Sequence, residues 1–557
     1  MLGLGESMST RGKEAGRGEG AQAGDFSPGA SDDARSSSLD PTAEELEALA
    51  QTFQRLTLEY LSRPSSLPVF PETSGEQVAE LFRRPLPVEG AGLEALARDC
   101  ERVISHSRQN GHPRMFGYVA SPAAPAAVFA ALLGAALNSN VTSWRSAPGP
   151  TAVEQTVVGW LAEMIGYKAS GVNETCGGLL TSGGSMANLN ALFVAHRTRA
   201  RRLTAETDNT DARVGTGETD DGREPSRAGL WNAGVPMTVY ASDQVHLSIP
   251  KAADLLGLGR EQVRVVPSDE GFGVDVRALR ERIEADARAG LRPFCVVANA
   301  GTVSTGAVDP LREVARVARE HGLWLHVDGA YGALAASAES KRALFDGLEE
   351  ADSVSLDPHK WLYTPLGCGC LLFREPAHAR AAFAGTEEGY IKVFESEEEE
   401  AFAFWDYGTE LSRPFRALKV WALLNYYGAR RVGEAIADDC ALAEYMAERV
   451  RASEEFELMA PVVLGICCFR YVPEAARRGL EAAEDDEERE RLNVTLDELN
   501  ARVMRRVQRG GEAYLSNAVL RGRFALRASI TNFRTTRRDI DLTLDVVRRA
   551  AREVERE

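Results

Sequence analysis

The sequence has little cysteine, no excess of positive charge and no long apolar run. Its eight cysteines form no CxxC pair, and their spacing suits neither a zinc site nor a disulfide framework. The formal net charge of −18 argues against nucleic acid as a partner, because binding phosphates requires a basic face. The N-terminus lacks the apolar segment of a secretory signal, and the longest apolar stretch, 123–137, is too short to span a bilayer. We therefore predict a cytoplasmic protein without a metal site or membrane partner, and we interpret 123–137 as a core helix.

The common nucleotide-binding motifs are also missing. Glycines interrupt a short apolar run at 177–184, and Ser185 starts a helix that we predict to end near Arg202. No Gly-Lys-Ser/Thr follows, as a Walker A loop requires, and no GxGxxG motif indicates a dinucleotide. Small residues at a helix N-terminus nevertheless leave backbone N–H groups free to bind an anion. The segment therefore predicts an anion site that is not a nucleotide loop.

The composition is that of a soluble globular protein, with 44% hydrophobic and 26% charged residues. A chain of 557 residues is long enough for roughly two to four structural units. Shifts in composition predict these divisions: a disordered tail at 1–40, a helical arm at 41–120, a large domain at 121–427 with a polar insertion at 204–229 and a mobile acidic loop at 379–400, and a small α+β domain at 428–557.

Helix ends can be placed from capping residues at two positions. Asp40 and Pro41 predict the cap and first residue of the arm's first helix. Thr495 and Glu498 have the spacing of a capping box at the start of a helix that ends near Arg509.

Strands alternate with helices through the centre of the chain. Near-continuous apolar strands in such an alternation predict a parallel sheet covered by helices on both faces, which is an α/β fold. In these sheets ligands bind at the carboxyl ends of the strands. The predicted strands are Met237–Ala241, Val263–Val266, Phe294–Ala298, Leu323–Val327 and Val354–Leu356.

Four reactive or polar side chains follow predicted strands: His246, Thr302, Asp328 and Lys360. Pro358 ends the last strand, since proline cannot donate to a sheet ladder, and places Lys360 on the following turn. A lone amine against an apolar wall would have a depressed pKa and could act as a Schiff-base nucleophile. Each residue alone is ordinary, but four at equivalent strand ends, beside an anion-binding helix start, predict one active site.

Three segments with these residues resemble the group II pyridoxal-5'-phosphate (PLP) decarboxylases of fold type I. They are Asp357–Trp361 (DPHKW), His326–Tyr331 (HVDGAY) and Thr181–Ser185 (TSGGS), and the similarity extends over about 42–550. The resemblance is greatest to the bacterial aromatic-amino-acid branch. It implies a large domain with a mostly parallel central sheet flanked by helices, a helical N-terminal arm, a small α+β C-terminal domain and PLP as cofactor.

The resemblance also implies roles for individual residues. Lys360 would bind the cofactor aldehyde covalently, and Asp328 would keep the pyridine nitrogen protonated. His246 would stack on one face of the ring and Ala330 would press on the other. The remaining cofactor contacts would come from Gly184, Ser185, Thr302 and His359.

Other implied roles concern the substrate and a second subunit. Tyr390, in the acidic loop, would protonate the substrate Cα after CO2 leaves. Ser121 falls where relatives place a substrate-contacting threonine. Ser412 lies in a segment that reaches the partner's site in a homodimer, and serine there leans towards phenolic substrates. The family pattern often has asparagine where this chain has Asp357, so no phosphate contact is assigned to it.

These observations predict decarboxylation of an L-amino acid, aromatic and tyrosine- or dopa-like, to the amine and CO2. The presence of both Tyr390 and His246 favours this over aldehyde synthesis. Decarboxylation of glutamate, cysteine sulfinate or 2,4-diaminobutyrate is an alternative that differs only in the substrate pocket. Another fold type I activity, or a binding protein without catalysis, are further alternatives.

Overall fold

The structure is a computed structural model, and it describes residues 39–168, 177–210, 236–383 and 402–557. The chain divides into two units, Met1–Arg55 and Leu56–Glu557. The α-helices of the described residues are α1 (Ala43–Ser62), α2 (Gly75–Phe82), α3 (Leu93–Ser105), α4 (Pro125–Leu137), α5 (Pro148–Met164), α6 (Gly184–Thr210), α7 (Ser248–Leu255), α8 (Val276–Arg288), α9 (Leu311–Glu320), α10 (Pro358–Trp361), α11 (Pro376–Phe383), α12 (Ala417–Tyr427), α13 (Ala429–Arg451), α14 (Glu474–Ala482), α15 (Asp486–Arg509) and α16 (Arg537–Arg556).

A seven-stranded sheet forms the centre of the second unit. Its strands are β2 (Gly178–Thr181), β3 (Met237–Ser242), β4 (Val263–Val266), β5 (Arg292–Asn299), β6 (Trp324–Asp328), β7 (Ser353–Leu356) and β8 (Gly369–Phe373). Their order is β2-β8-β7-β6-β5-β3-β4, and all neighbours are parallel except those of β8, which runs antiparallel to β2 and β7. The prediction of a mostly parallel central sheet is confirmed.

The central strands of this sheet are buried, as expected where helices pack against a sheet. Strands β6, β7 and β8 are buried at every residue. Helix α9 packs on the sheet through an apolar face that includes Leu311, Val314 and Ala318. Helix α8 begins at an Asp275 cap, whose side chain accepts hydrogen bonds from the backbone N–H groups of Arg277 and Ala278.

A second sheet of five strands lies mostly in the C-terminal part of the chain. Its strands are β1 (Met115–Phe116), β9 (Phe456–Leu458), β10 (Ile466–Tyr471), β11 (Tyr514–Leu520) and β12 (Arg523–Ser529), in the order β1-β11-β12-β10-β9. Strand β1 is parallel to β11, and the other neighbours are antiparallel. Helices α13 and α16 contribute side chains to the same core, among them Met446, Ile540 and Val547.

Two predicted helix starts are wrong, each because a nearby residue makes the cap. Helix α1 begins at Ala43, where Thr42 and Glu45 exchange hydrogen bonds, so neither Asp40 nor Pro41 starts it. Helix α15 begins much earlier than predicted, after an Asp485 cap. Thr495 is then inside the helix, and its hydroxyl donates to the carbonyl of Arg491.

The stretch 123–137 differs from the predicted core helix. Helix α4 buries only Ala127 and Ala130. The opposite face is exposed, with Leu132 at 68% and Leu133 at 55% of their maximal accessibility. Helix α4 therefore has two apolar faces, one packed against the protein and one exposed to solvent.

Several predicted irregular segments coincide only partly with the described residues. Helix α6 continues to Thr210, so the first residues of the predicted insertion 204–229 are helical. Helix α11 likewise continues to Phe383, inside the predicted loop 379–400. The rest of both segments, and nearly all of the predicted tail 1–40, lies outside the described residues.

Candidate active site

The carboxyl edge of the seven-stranded sheet opens onto a cavity of about 390 Å³. The strand register aligns Asn299 of β5 with Asp328 of β6, and Asp328 with Ser355 of β7. Seven residues predicted from the sequence line this cavity: Gly184, Ser185, His246, Asp328, Ala330, His359 and Lys360. The structure therefore brings these seven residues, which come from separate segments of the chain, together at one cavity.

Lys360 reaches the cavity from a single helical turn. Pro358 is the first residue of α10, and the backbone N–H of Lys360 donates to the carbonyl of Asp357 at 2.8 Å. The Nζ atom of Lys360 lies 2.9 Å from Oδ2 of Asp357. The expectation of a lone amine against an apolar wall is wrong, because a carboxylate three residues earlier on the same turn forms an ion pair with it.

Three hydrogen bonds fix the carboxylate of Asp328. Its Oδ1 accepts from Ser355 Oγ at 3.1 Å and from the backbone N–H of Ala330 at 3.2 Å. Its Oδ2 accepts from Asn188 Nδ2 at 2.8 Å. The side chain is 7% exposed and stands at the end of a fully buried strand. It is therefore held in one orientation towards the cavity.

His246 is open to the cavity on one side and hydrogen-bonded on the other. Its Nδ1 lies 2.8 Å from Ser248 Oγ and accepts from the backbone N–H of Ser248 at 3.2 Å. Because that N–H can only donate, Nδ1 carries no proton, and the neutral ring holds its proton on Nε2. The surrounding protein removes part of the water from the His246 ring, and this desolvation lowers the pKa of His246. The negative charges of Asp328 and Asp357 oppose the shift, and the positive charge of Lys360 adds to it.

The start of α6 forms a cradle of small residues. A Cβ atom on Gly184 would lie 2.8 Å from Ala330 Cβ and 2.9 Å from Asp357 Oδ2, which is closer than normal contact. A Cβ atom on Gly183 would lie 3.4 Å from His359 Cε1. Glycine is needed here for close approach, and it leaves the first N–H groups of a long helix facing the cavity.

His359 and Ser121 meet beside the cavity. The ring of His359 donates from Nδ1 to the carbonyl of Cys368 at 2.8 Å, which leaves Nε2 3.8 Å from Asp357 Oδ2. Ser121 Oγ donates to the backbone carbonyl of His359 at 3.0 Å. Ser121 does not itself line the cavity, whereas Val119 does. Its hydroxyl supports the turn that holds His359 and Lys360.

Besides Ser121, two predicted site residues in the described part of the chain do not line the cavity. Thr302 is 1% exposed, and its hydroxyl lies 3.0 Å from Thr305 Oγ1 and accepts from the N–H of Ala307. Ser412 is exposed and does not line the cavity of its own chain. Tyr390 lies outside the described residues.

The structure adds cavity residues that sequence reasoning missed. Asn299 is the last residue of β5, and its position at a strand end could have identified it. Asn188 lies one turn after Gly184 on α6, so helical spacing could have placed it on the same face. Asp357 also lines the cavity, although no role was assigned to it.

The residues present fit PLP. The cavity volume falls within the range of about 300–1,000 Å³ typical of small-molecule sites. An amine, a fixed carboxylate, an open imidazole and an unfilled glycine cradle all face it. Oδ1 of Asp357 is buried without a hydrogen-bond partner, as expected of a polar site that a ligand completes.

Comparison with known proteins identifies the family. The family described as "Pyridoxal-dependent decarboxylase conserved domain" matches residues 76–216 and 231–472. An aromatic-L-amino-acid decarboxylase of Bacillus atrophaeus is 32% identical over 93% of this chain and 98% of its own. A phenylacetaldehyde synthase of Petunia hybrida is 28% identical over 92% of this chain and 95% of its own.

Solved structures agree with this match. The structure of TDC from Oryza sativa with PLP and tryptamine superposes with a TM-score of 0.80 at 29% identity, covering 93% of this chain and 99% of that one. The two sheets described above thus belong to fold type I. The chain is a member of the pyridoxal-dependent decarboxylase family.

Proposed function

We propose that this protein is a PLP-dependent decarboxylase that converts an aromatic L-amino acid to the corresponding amine and CO2. The observation that carries the proposal is the meeting of Lys360, Asp328 and His246 around one cavity, beside the Gly184–Ser185 cradle. The names of relatives that act on aromatic amino acids support the substrate class. When bound, the cofactor ring accepts the electron pair that remains after CO2 leaves.

The chain's own residues bind and orient in this proposal. Lys360 supplies the amine for covalent attachment, and its partner Asp357 holds that amine in place until attachment. Asp328 presents a fixed acceptor to a ring nitrogen. The N–H groups and hydroxyl at Gly184–Ser185 bind the phosphate. His246 presents a neutral ring face, and its Nε2 proton is available to an acceptor in the cavity.

The remaining roles rest on the resemblance alone. We propose that Tyr390 returns a proton to the substrate Cα, and that Thr302, Ser121 and Ser412 contribute contacts in the loaded enzyme. Retention of Tyr390 favours the amine over the aldehyde as product. We also keep as a proposal the division into an arm, a large domain, a small domain and the two irregular segments.

We further propose a homodimer in the cytoplasm, with the active sites at the subunit interface. The exposed apolar face of α4, which includes Leu132, Leu133 and Leu137, supports the dimer because such a row is typical of a buried interface. Among the described residues, no helix is both apolar enough and long enough to cross a membrane.

A substrate screen with a matched lysine control tests the function. Purified protein with PLP should release CO2 and an amine from tyrosine, dopa, phenylalanine or tryptophan. Lys360→Ala should abolish both cofactor absorbance and turnover, whereas Lys251→Ala, at an exposed lysine on α7, should leave both unchanged. Aldehyde with ammonia and peroxide would identify an aldehyde synthase instead. Turnover of only glutamate, cysteine sulfinate or 2,4-diaminobutyrate would refute the aromatic class, and full activity of Lys360→Ala would refute the site.

A further inference from the structure

A chain of buried hydrogen bonds runs beneath the cavity, and each proton in it has a defined place. Trp324 Nε1 donates to Ser353 Oγ, which lies 2.9 Å from His326 Nδ1. At the other side of the ring, Asn188 turns its Nδ2 to the Asp328 carboxylate, so its amide oxygen faces His326 and can only accept. Nε2 of His326, 3.0 Å from that oxygen, therefore carries the ring proton, and Nδ1 accepts from the Ser353 hydroxyl. Burial lowers the pKa of His326 to about 4, in agreement with a neutral ring.

At Asn188 this series of hydrogen bonds branches towards two cavity residues, Asp328 and His246. With its oxygen turned to His326, its Nδ2 has two hydrogens, one for Asp328 Oδ2 at 2.8 Å and one for Ser248 Oγ at 2.9 Å. The Ser248 hydroxyl then donates to Nδ1 of His246 at 2.8 Å. One amide therefore orients a carboxylate on β6 directly and, through the Ser248 hydroxyl, an imidazole after β3 whose Nδ1 also accepts from the Ser248 backbone N–H.

The position of Asn188 adds a third connection. It lies on the first turns of α6, the helix that begins with the glycine cradle. Asn188 is 1% exposed and His326 is 0% exposed, so water cannot readily replace a lost partner. We propose that Asn188 is a positioning residue that holds the Asp328 carboxylate and, through Ser248, the His246 ring in register with the cradle. This inference rests on the proposed function and deepens it.

Replacing Asn188 with leucine keeps the number and branching of the side-chain heavy atoms and removes every hydrogen bond of the amide. Asp328 Oδ2, Ser248 Oγ and the His326 Nε2–H would each lose a buried partner. The matched control is Asn190→Leu. Asn190 is on the same helix and is also 1% exposed, and its amide oxygen has no hydrogen-bond partner among the described residues. Both variants therefore replace a buried asparagine of α6 with leucine, but only Asn188→Leu changes a residue that lines the cavity.

Three measurements on the full-length protein test the inference: the PLP dissociation constant, kcat and KM on the best substrate, and the ¹⁵N spectrum of histidine-labelled holoenzyme. We expect Asn188→Leu to weaken PLP binding and lower kcat by about 10- to 100-fold each, with a smaller change in KM. We expect the ¹⁵N signals of His326 to change from a single tautomer to a mixture, because its Nε2–H loses its acceptor. Those of His246 should shift because the Ser248 hydroxyl loses its donor, while the Ser248 backbone N–H keeps the proton on Nε2. Asn190→Leu should leave all three measurements at the wild-type values.

Ser248→Ala decides the matter if Asn188→Leu does not fold. It removes only the hydroxyl between Asn188 and His246, so the His246 signals should change, kcat should fall and the His326 signals should persist. Wild-type values of kcat and of the His246 signals in Ser248→Ala, or equal behaviour of the two leucine variants, would overturn this inference alone. Failure of the wild-type protein to bind PLP would overturn the proposed function, and this inference with it.

Discussion

Neutralising Glu154 should cost more stability than any comparable change at the surface. Glu154 of α5 forms an ion pair with Arg413, and each side chain is 1% exposed. Glu154 Oε1 also accepts from the N–H of Leu180 at 2.9 Å. Arg413 donates to the carbonyls of Val141 at 2.6 Å and Leu180 at 2.8 Å, and its guanidinium lies 4.1 Å from the ring centre of Phe404. This pair therefore ties the segment around Ser412 to β2.

The magnitude follows from the burial of the arginine. Glu154→Gln keeps an acceptor for Leu180 but leaves the Arg413 charge without a counter-ion. Removing one partner of a buried pair typically costs roughly 3–5 kcal/mol of unfolding free energy. Combining Glu154→Gln with Arg413→Met removes the uncompensated charge, so the double variant should lose less than the sum of the single variants.

Urea unfolding followed by circular dichroism, at one protein concentration, measures these differences. The control is Glu281→Gln in the exposed pair with Arg277, whose side chains are 63% and 87% exposed. That substitution should cost about 0–1 kcal/mol. The reasoning would be refuted if Glu154→Gln were no more destabilising than Glu281→Gln, or if the two substitutions of the buried pair were simply additive.

Two further predictions concern the cradle and a buried acid. Gly184→Ala should weaken PLP binding without unfolding the protein, because its Cβ would collide with Ala330 and Asp357; Gly159→Ala, at a helix position with open space, should leave PLP titrations unchanged. Burial raises the pKa of Asp439 to about 7 despite three hydrogen bonds to it. The folded state thus favours its protonated form, which adds stability below about pH 4 that is lost as the pH rises through about 7. Asp439→Asn should flatten this decline in urea midpoints measured from about pH 4 to pH 7, and an unchanged slope would contradict the assignment.

Sequence reasoning succeeded where the chemistry depends on local order along a strand. The strand Val263–Val266 was predicted at its observed bounds, and Asp328 and Lys360 were placed at strand ends that meet in one cavity. An apolar run that stops at a polar or proline residue determines both the strand and the location of the next side chain.

Sequence reasoning failed where the contacts of a side chain depend on a residue that is distant in the sequence or that competes with the expected partner. Lys360 was expected to be isolated, but the turn at Pro358 brings Asp357 against it. Thr302 was expected in the cavity, but its hydroxyl forms a hydrogen bond with the hydroxyl of Thr305 in the same loop. Asn188 donates to Ser248 and to Asp328, which lie 60 and 140 positions further along the chain. No local sequence pattern indicates contacts over such separations.

The short strand β1 has a consequence for the order in which this chain can fold during synthesis. Met115 pairs with Tyr514, and next to this pair the N–H of Tyr118 donates to Ser516, 398 residues further on. At a ribosomal rate of about 5–20 residues per second, β11 emerges roughly 20–80 s after β1. During that interval Met115 and Phe116, both at most 1% exposed in the finished protein, lack their cover. The N-terminal part of the chain therefore cannot complete its fold until β11 is synthesised. In that interval Met115 and Phe116 form an exposed apolar segment that nascent-chain chaperones could bind.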